Sequence, residues 1–262
     1  MARMADEEVI SWLGEEAERI ASIAECHPAE TPVPSCPGWT LGDLVEHVAP
    51  LLGGWYSYNL TPRPGKFDMI ASHRSGYPVP EDHHGRIGHL RRSVLAFRDA
   101  ARAADLEAFV EVFGCTAPAR SWLPRAATEF AVHRWDAECA GPGPMPLGAQ
   151  RAGESLDETL RVFWPAVAAF EWPAGSPLRG GFLPPAEPIG IRAVDSGRSW
   201  SLSPHGRGMV VLETDDLPET VLEGTGSDLV LYVWGRQDAC RLLVRGSPDL
   251  IERWNVAAQA GV

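Results

Sequence analysis

The residues best suited to chemistry share one face of a predicted helix at about residues 121–140. Glu129, His133 and Asp136 follow one another at steps of four and three residues, which places them on the same side of that helix. Apolar side chains border this face, so it is expected to point into a core. A buried glutamate costs several kcal/mol unless it is paired or binds a cation, so the pattern indicates a paired or metal-binding group.

A second histidine, His47, is predicted to face the interior from an earlier helix, because it lies among the apolar residues Leu44 and Val48. This histidine could meet Glu129 and His133 on one metal ion inside a bundle of helices. Two histidines and one carboxylate leave coordination positions open, which is typical of a catalytic metal site rather than a structural one. The spacing therefore gives a specific hypothesis of a metal centre.

Simpler explanations fit the same spacing. A glutamate and a histidine four residues apart commonly form only a surface pair, and a lone histidine among apolar residues is commonly a hydrogen-bonded core residue. Asp136 could orient His133 from behind the ligand, or it could pair with Arg134, which is expected to be exposed. A rival group of histidines, with no common metal-ligand spacing, consists of His83, His84 and His89.

Helices must bring these residues together, and most of the first 140 residues have the apolar periodicity of helices. The predicted helices cover about 6–25, a segment that begins after Thr40, 83–104 and 121–140. Their succession indicates a four-helix bundle, and Pro50 is expected to kink the second helix. A loop rich in proline and glycine is predicted at about 61–80.

The pattern changes in the C-terminal part of the chain. A fifth helix is predicted at about 151–171, and the segment 173–188 is rich in proline and glycine. Short strands and two short helices are then predicted at 189–194, 199–203, 209–213, 220–223, 228–234, 241–244 and 248–254. The predicted class is α+β, with a four-helix bundle at 1–145 followed by a smaller α+β domain at 146–262.

Composition and charge argue against several kinds of partner. The chain has 23 basic and 35 acidic residues, and a net charge of −12 does not suit nucleic acid or an anionic membrane surface. No apolar stretch is long enough to span a bilayer, and the N-terminus lacks the apolar core of a signal peptide, so a cytoplasmic protein is expected. The five scattered cysteines include no CxxC pair, which indicates neither a disulfide scaffold nor a thiolate zinc site.

Several segments of the chain resemble the mycothiol-dependent maleylpyruvate isomerase family. Residues 34–47 (PSCPGWTLGDLVEH) resemble the family's entry into its second helix, and residues 129–138 (EFAVHRWDAE) resemble its metal-binding helix. Residues 224–236 (GTGSDLVLYVWGR) and 246–254 resemble segments of its C-terminal domain. Within the first segment, Trp39 is interpreted as a packing anchor, with a substrate wall as the alternative.

The resemblance implies a DinB-like bundle followed by a sterol-carrier-like α+β domain. It also implies a divalent metal, usually zinc, on His47, Glu129 and His133, and mycothiol as a thiol cosubstrate. Arg236 is a candidate catalytic residue that would clamp a substrate carboxylate, although a cation there would also suit the end of the predicted helix.

The expected function is therefore that of a mycothiol-dependent enzyme. A metal-bound thiolate would attack a small electrophile, giving either maleylpyruvate-type cis–trans isomerisation or transfer of the thiol. The motifs do not separate an isomerase from an S-transferase, because both reactions need the same activated thiol. The alternative is a non-catalytic metal- or thiol-binding protein on the same fold.

Overall fold

The structure is a computed structural model that describes residues 3–63, 78–112, 115–169, 184–206 and 208–259. The chain folds as two compact units. The N-terminal unit contains Met4–Val112 and Thr116–Met145, and the C-terminal unit contains mainly Pro146–Val262. Most of the loop predicted at 61–80 and most of the segment 173–188 lie outside the described residues.

Long helices form the frame of the N-terminal unit. They are α1 (Asp6–Cys26), α2 (Leu41–Pro50), α3 (His83–Ala103) and α4 (Trp122–Ala140). Helix α1 packs against α3 and α4, and α2 packs against the same two helices. The prediction of a helical N-terminal region is confirmed. The helix ends predicted from the sequence agree closely with the observed ends.

Helix α2, which carries His47, has a well-defined start. The Thr40 hydroxyl accepts a hydrogen bond from the Asp43 backbone, and the Asp43 carboxylate accepts one from the Thr40 backbone at 2.8 Å. This reciprocal pair is a capping box, which satisfies two amide groups that a helix start otherwise leaves unpaired. At Pro50, where a kink was expected, the helix changes type and continues as a π-helix over Leu51–Tyr56.

Helix α4 is buried on nearly all sides, unlike an amphipathic surface helix. Its buried polar residues are Arg125, Thr128, His133, Arg134, Asp136 and Glu138. The expectation that Arg134 is exposed is therefore wrong. Its guanidinium donates to Glu16 at 2.9 Å and to Glu138 at 2.6 Å, and these bonds compensate the burial of its charge.

A short β-hairpin that the sequence did not predict precedes α4. Strand β1 (Phe109–Val112) pairs with β2 (Cys115–Pro118), and a single 3₁₀ turn at Ala119–Ser121 leads into the helix. Each strand has only four residues, which is too short for apolar alternation to be recognised.

The C-terminal unit is built on a five-stranded sheet, with helices that pack against it. Its strands are β3 (Ile189–Ala193), β4 (Arg198–His205), β5 (Gly208–Glu213), β6 (Val221–Gly224) and β7 (Leu243–Arg245). The order across the sheet is β5-β4-β3-β6-β7, and β3 pairs in parallel with β6 while the other neighbours are antiparallel. The predicted β-containing C-terminal part is confirmed.

The helices of this unit begin with α5 (Ala149–Glu158), which continues as a π-helix over Thr159–Phe163 and an α-helix over Trp164–Ala169. Helix α6 (Gly226–Val233) follows β6 and packs on β3 and β6, and α7 (Pro248–Gln259) ends the described chain. None of the helices in the described ranges has the length and apolar character needed to cross a bilayer.

Candidate metal centre

Helices α2 and α4 bring three predicted ligands together in the N-terminal unit. Ligand atoms of His47, Glu129 and His133 all lie within 4.8 Å of one another. Glu129 Oε1 is 3.3 Å from Nε2 of each histidine. No other group of three or more such side chains converges in this way among the residues that the structure describes.

A buried carboxylate holds the His133 ring from behind. Asp136 is fully buried, and its Oδ2 atom lies 2.9 Å from His133 Nδ1. The Ser35 hydroxyl donates to the other oxygen of Asp136 at 2.7 Å. A proton on Nδ1 that is donated to Asp136 leaves the lone pair of Nε2 directed at the other two ligands. The alternative, in which Asp136 pairs with Arg134 at the surface, does not occur.

The two carboxylate oxygens of Glu129 face different partners. Its Oε1 atom faces the two histidines, whereas its Oε2 atom accepts a hydrogen bond from Arg125 Nη2 at 2.6 Å. The Arg125 side chain is only 3% exposed and that of Glu129 17%, so the arginine is buried and the glutamate is largely so. Sequence reasoning missed this arginine, although it precedes Glu129 by four residues, which is the same spacing that links Glu129 to His133.

The electrostatic surroundings favour an ionised glutamate. Burial raises the pKa of Glu129, but hydrogen bonds from His133 and His47 and the charge of Arg125 outweigh it and hold the pKa well below its usual range. Burial lowers the pKa of His133, whereas Asp136 and Glu129 raise it, and the net direction is upward. A proton and a cation therefore compete for the His133 imidazole.

The segment before α2 encloses one side of the cluster. The Trp39 amide donates to the Cys36 carbonyl at 2.9 Å, and Gly38 within this tight turn has φ of +87°, a conformation that side chains other than hydrogen disfavour. The indole ring stacks on His133 with 6.3 Å between ring centroids, and it makes an edge-to-face contact with His47 with 5.3 Å between centroids. Trp39 thus packs against both imidazoles, and this contact could not be read from the sequence.

The three ligand residues fit a divalent cation. Two imidazole nitrogens and one carboxylate oxygen converge on a small volume, and a proton can bridge only two of these three atoms. This donor set, backed by a carboxylate behind one histidine, is the kind that zinc takes in catalytic sites.

The rival histidines do not converge. His83 Nε2 lies 3.2 Å from the Ala24 carbonyl, and the His83 and His84 ring centroids are 6.0 Å apart. His89 is buried, and burial together with the charge of Arg92 lowers its pKa. Among the described residues, these three side chains do not form a group that could hold a metal ion.

Arg236, the predicted carboxylate-binding residue, lies in the C-terminal unit just beyond α6. Its backbone amide donates to the Leu231 carbonyl, and its guanidinium Nη1 donates to the Trp234 carbonyl, both at 2.8 Å. These bonds place a cation at the end of the helix, where it suits the helix dipole. Its role toward a substrate stays a prediction.

Comparisons with known proteins agree with this description. Residues 13–138 match the family described as the mycothiol maleylpyruvate isomerase N-terminal domain. Two crystal structures are similar, those of a mycothiol-dependent maleylpyruvate isomerase and of a histidine-to-alanine mutant. Each has a TM-score of 0.56 and 16% identity, over 95% of this chain and 99% of the other. At that identity, the likeness shows the shared fold. No curated protein matches the chain by sequence.

Proposed function

We propose that this chain, whose residues 13–138 match the mycothiol maleylpyruvate isomerase N-terminal domain, is a metal-dependent enzyme that uses mycothiol against a small electrophile. The main support for the proposal is that the ligand atoms of His47, Glu129 and His133 all lie within 4.8 Å of one another. These residues would hold one divalent cation, and zinc suits their donor atoms best.

Three protein ligands leave at least one coordination position for a thiol. A divalent cation bound there would lower the pKa of a coordinating thiol, so that the nucleophilic thiolate exists at neutral pH. Two residues of the chain would orient and charge the ligands around this coordination position. Asp136 holds the His133 ring in one orientation, and Glu129 contributes a negative charge beside the two imidazoles.

The proposed reaction begins when the thiolate sulfur forms a bond to one carbon of a conjugated double bond. The π electron pair moves onto the adjoining carbonyl oxygen, and the former double bond can then rotate. When the carbon–sulfur bond breaks, the electron pair returns and the thiolate is released, which completes a cis–trans isomerisation. If a proton reaches the adduct first, the thiol remains attached and the reaction is an S-transfer. We further propose that Arg236 binds a carboxylate of the substrate.

Two measurements test the proposal. Purified protein should contain about one equivalent of a divalent metal by elemental analysis, and His133→Ala should contain much less. His205→Ala removes an exposed histidine of the C-terminal unit and is the matched control, with metal content unchanged.

Metal-loaded protein is then mixed with mycothiol and either maleylpyruvate or a simple conjugated electrophile. Isomerised product supports the isomerase, and an S-conjugate supports the transferase. If neither product forms but calorimetry shows that mycothiol binds, the non-catalytic thiol-binding alternative replaces the enzyme. Equal metal content in His133→Ala and in the unaltered protein would contradict the assignment of the ligands.

A further inference from the structure

The two carboxylate oxygens of Glu129 contact different partners. Oε1 lies 3.3 Å from Nε2 of both His47 and His133, whereas Oε2 lies 2.6 Å from Arg125 Nη2. A glutamate can ligate a metal through one oxygen or through both. Here, the second oxygen already has a strong, charge-assisted hydrogen bond.

The structure holds Arg125 firmly in this position. Both residues lie on α4 one turn apart, and that spacing keeps their side chains on the same helix face. The Arg125 side chain is 3% exposed, so water cannot readily take its place at Oε2. The guanidinium also remains charged at every relevant pH, so the contact does not switch off by losing a proton.

We infer that Arg125 is a positioning residue that restricts Glu129 to one ligating oxygen and thereby keeps a coordination position free for the thiol. The inference depends on the proposed function in one respect, namely that a cation binds to His47, Glu129 and His133. Arg125 competes with that cation for the second oxygen, and its positive charge weakens cation binding. The arginine therefore lowers the affinity of the site for the cation, and it leaves one coordination position of the cation open.

The test is to remove the guanidinium and examine the metal itself. Arg125→Met frees Oε2, so Glu129 can ligate through both oxygens and the nearby positive charge is lost. We expect the Zn²⁺ dissociation constant, measured by chelator competition, to fall by about tenfold, because a positive charge beside the site is removed and a second carboxylate oxygen becomes available. In Co²⁺-substituted protein, the visible absorption should lose intensity, because these bands weaken as the coordination number rises.

A matched control is available on the same helix. Arg134 is also buried and also contacts a glutamate four residues later, with Arg134 Nη1 2.6 Å from Glu138 Oε2. Arg134→Met should reduce thermal stability but leave the Co²⁺ spectrum and the Zn²⁺ affinity unchanged. Arg125→Leu, which also has no donor for Oε2, carries the same expectation as Arg125→Met and is used if the methionine variant does not fold.

The possible outcomes separate this inference from the proposed function. If the unaltered protein binds Co²⁺ and both Arg125 variants have its spectrum, the inference is wrong and the metal assignment stands. Weaker Zn²⁺ binding with an unchanged spectrum also overturns it, because Arg125 would then merely support the ligand. If the unaltered protein takes up neither ion, the proposed function fails and the inference fails with it.

Discussion

Replacing Asp136 by asparagine tests whether the carboxylate behind His133 prepares that histidine to bind a metal. The substitution keeps the size of the side chain but removes its charge. Asp136 is fully buried and accepts hydrogen bonds from His133 Nδ1 at 2.9 Å and from the Ser35 hydroxyl at 2.7 Å. The asparagine can still accept one of these bonds, but its amide group cannot accept the other.

The size of the effect follows from these contacts. A hydrogen bond to an ionised acceptor is about twice as strong as a neutral one. Loss of an outer-shell partner typically weakens metal binding by about 10-fold to 100-fold. We therefore expect Asp136→Asn to raise the Zn²⁺ dissociation constant within that range, which corresponds to about 1.4 to 2.8 kcal/mol. Ser35→Ala removes only one neutral donor and should have a smaller effect in the same direction.

Chelator competition at fixed pH measures the affinity, and elemental analysis confirms the stoichiometry. Asp99→Asn is the matched control, because it removes the same charge from an exposed position on α3, where the side chain is 70% exposed. The control should bind Zn²⁺ like the unaltered protein. If Asp136→Asn also does so, then Asp136 contributes to packing alone and the proposed orientation of His133 is wrong.

Two further predictions concern other parts of the molecule. Burial raises the pKa of Glu138, but hydrogen bonds from the Met145 amide, Arg19 and Arg134 outweigh it and lower the pKa below the value expected in the unfolded chain. Its contribution to stability is therefore complete above the unfolded-state pKa and is lost as the pH falls through the folded-state value. The difference in Tm between the unaltered protein and Glu138→Gln should shrink on acidification from pH 7, and a constant difference would contradict this. Arg236→Ala should raise KM for a carboxylate substrate by about tenfold and leave the metal content unchanged, whereas an unchanged KM would remove Arg236 from substrate binding.

The sequence predicted the frame of the site well, because regular apolar spacing marks the helices. Glu129 and His133 could be paired from spacing alone, since both lie on one helix. His47 was joined to them as a hypothesis from its place among apolar residues of another helix, and the family resemblance then implied the same three ligands. The structure then brought all three together.

The features that the sequence did not predict have identifiable physical causes. Helix α4 buries charged groups on several sides, so hydrophobic periodicity does not reveal which face is internal. Arg134 was therefore expected at the surface, and Arg125 was not recognised. The π-helical stretches were also missed, because their apolar residues follow a pattern close to that of an α-helix.

The buried charges of α4 also constrain how this sequence can change during evolution. Arg134 lies between Glu16 on α1 and Glu138 on its own helix, and all three side chains are less than one-tenth exposed. Removing one member of such a group leaves an uncompensated charge, which typically destabilises a protein by about 3–5 kcal/mol. Single substitutions at these positions would then be selected against, whereas joint replacement by apolar residues would not. Positions 16, 134 and 138 should accordingly covary among relatives, even though none of them belongs to the candidate metal centre.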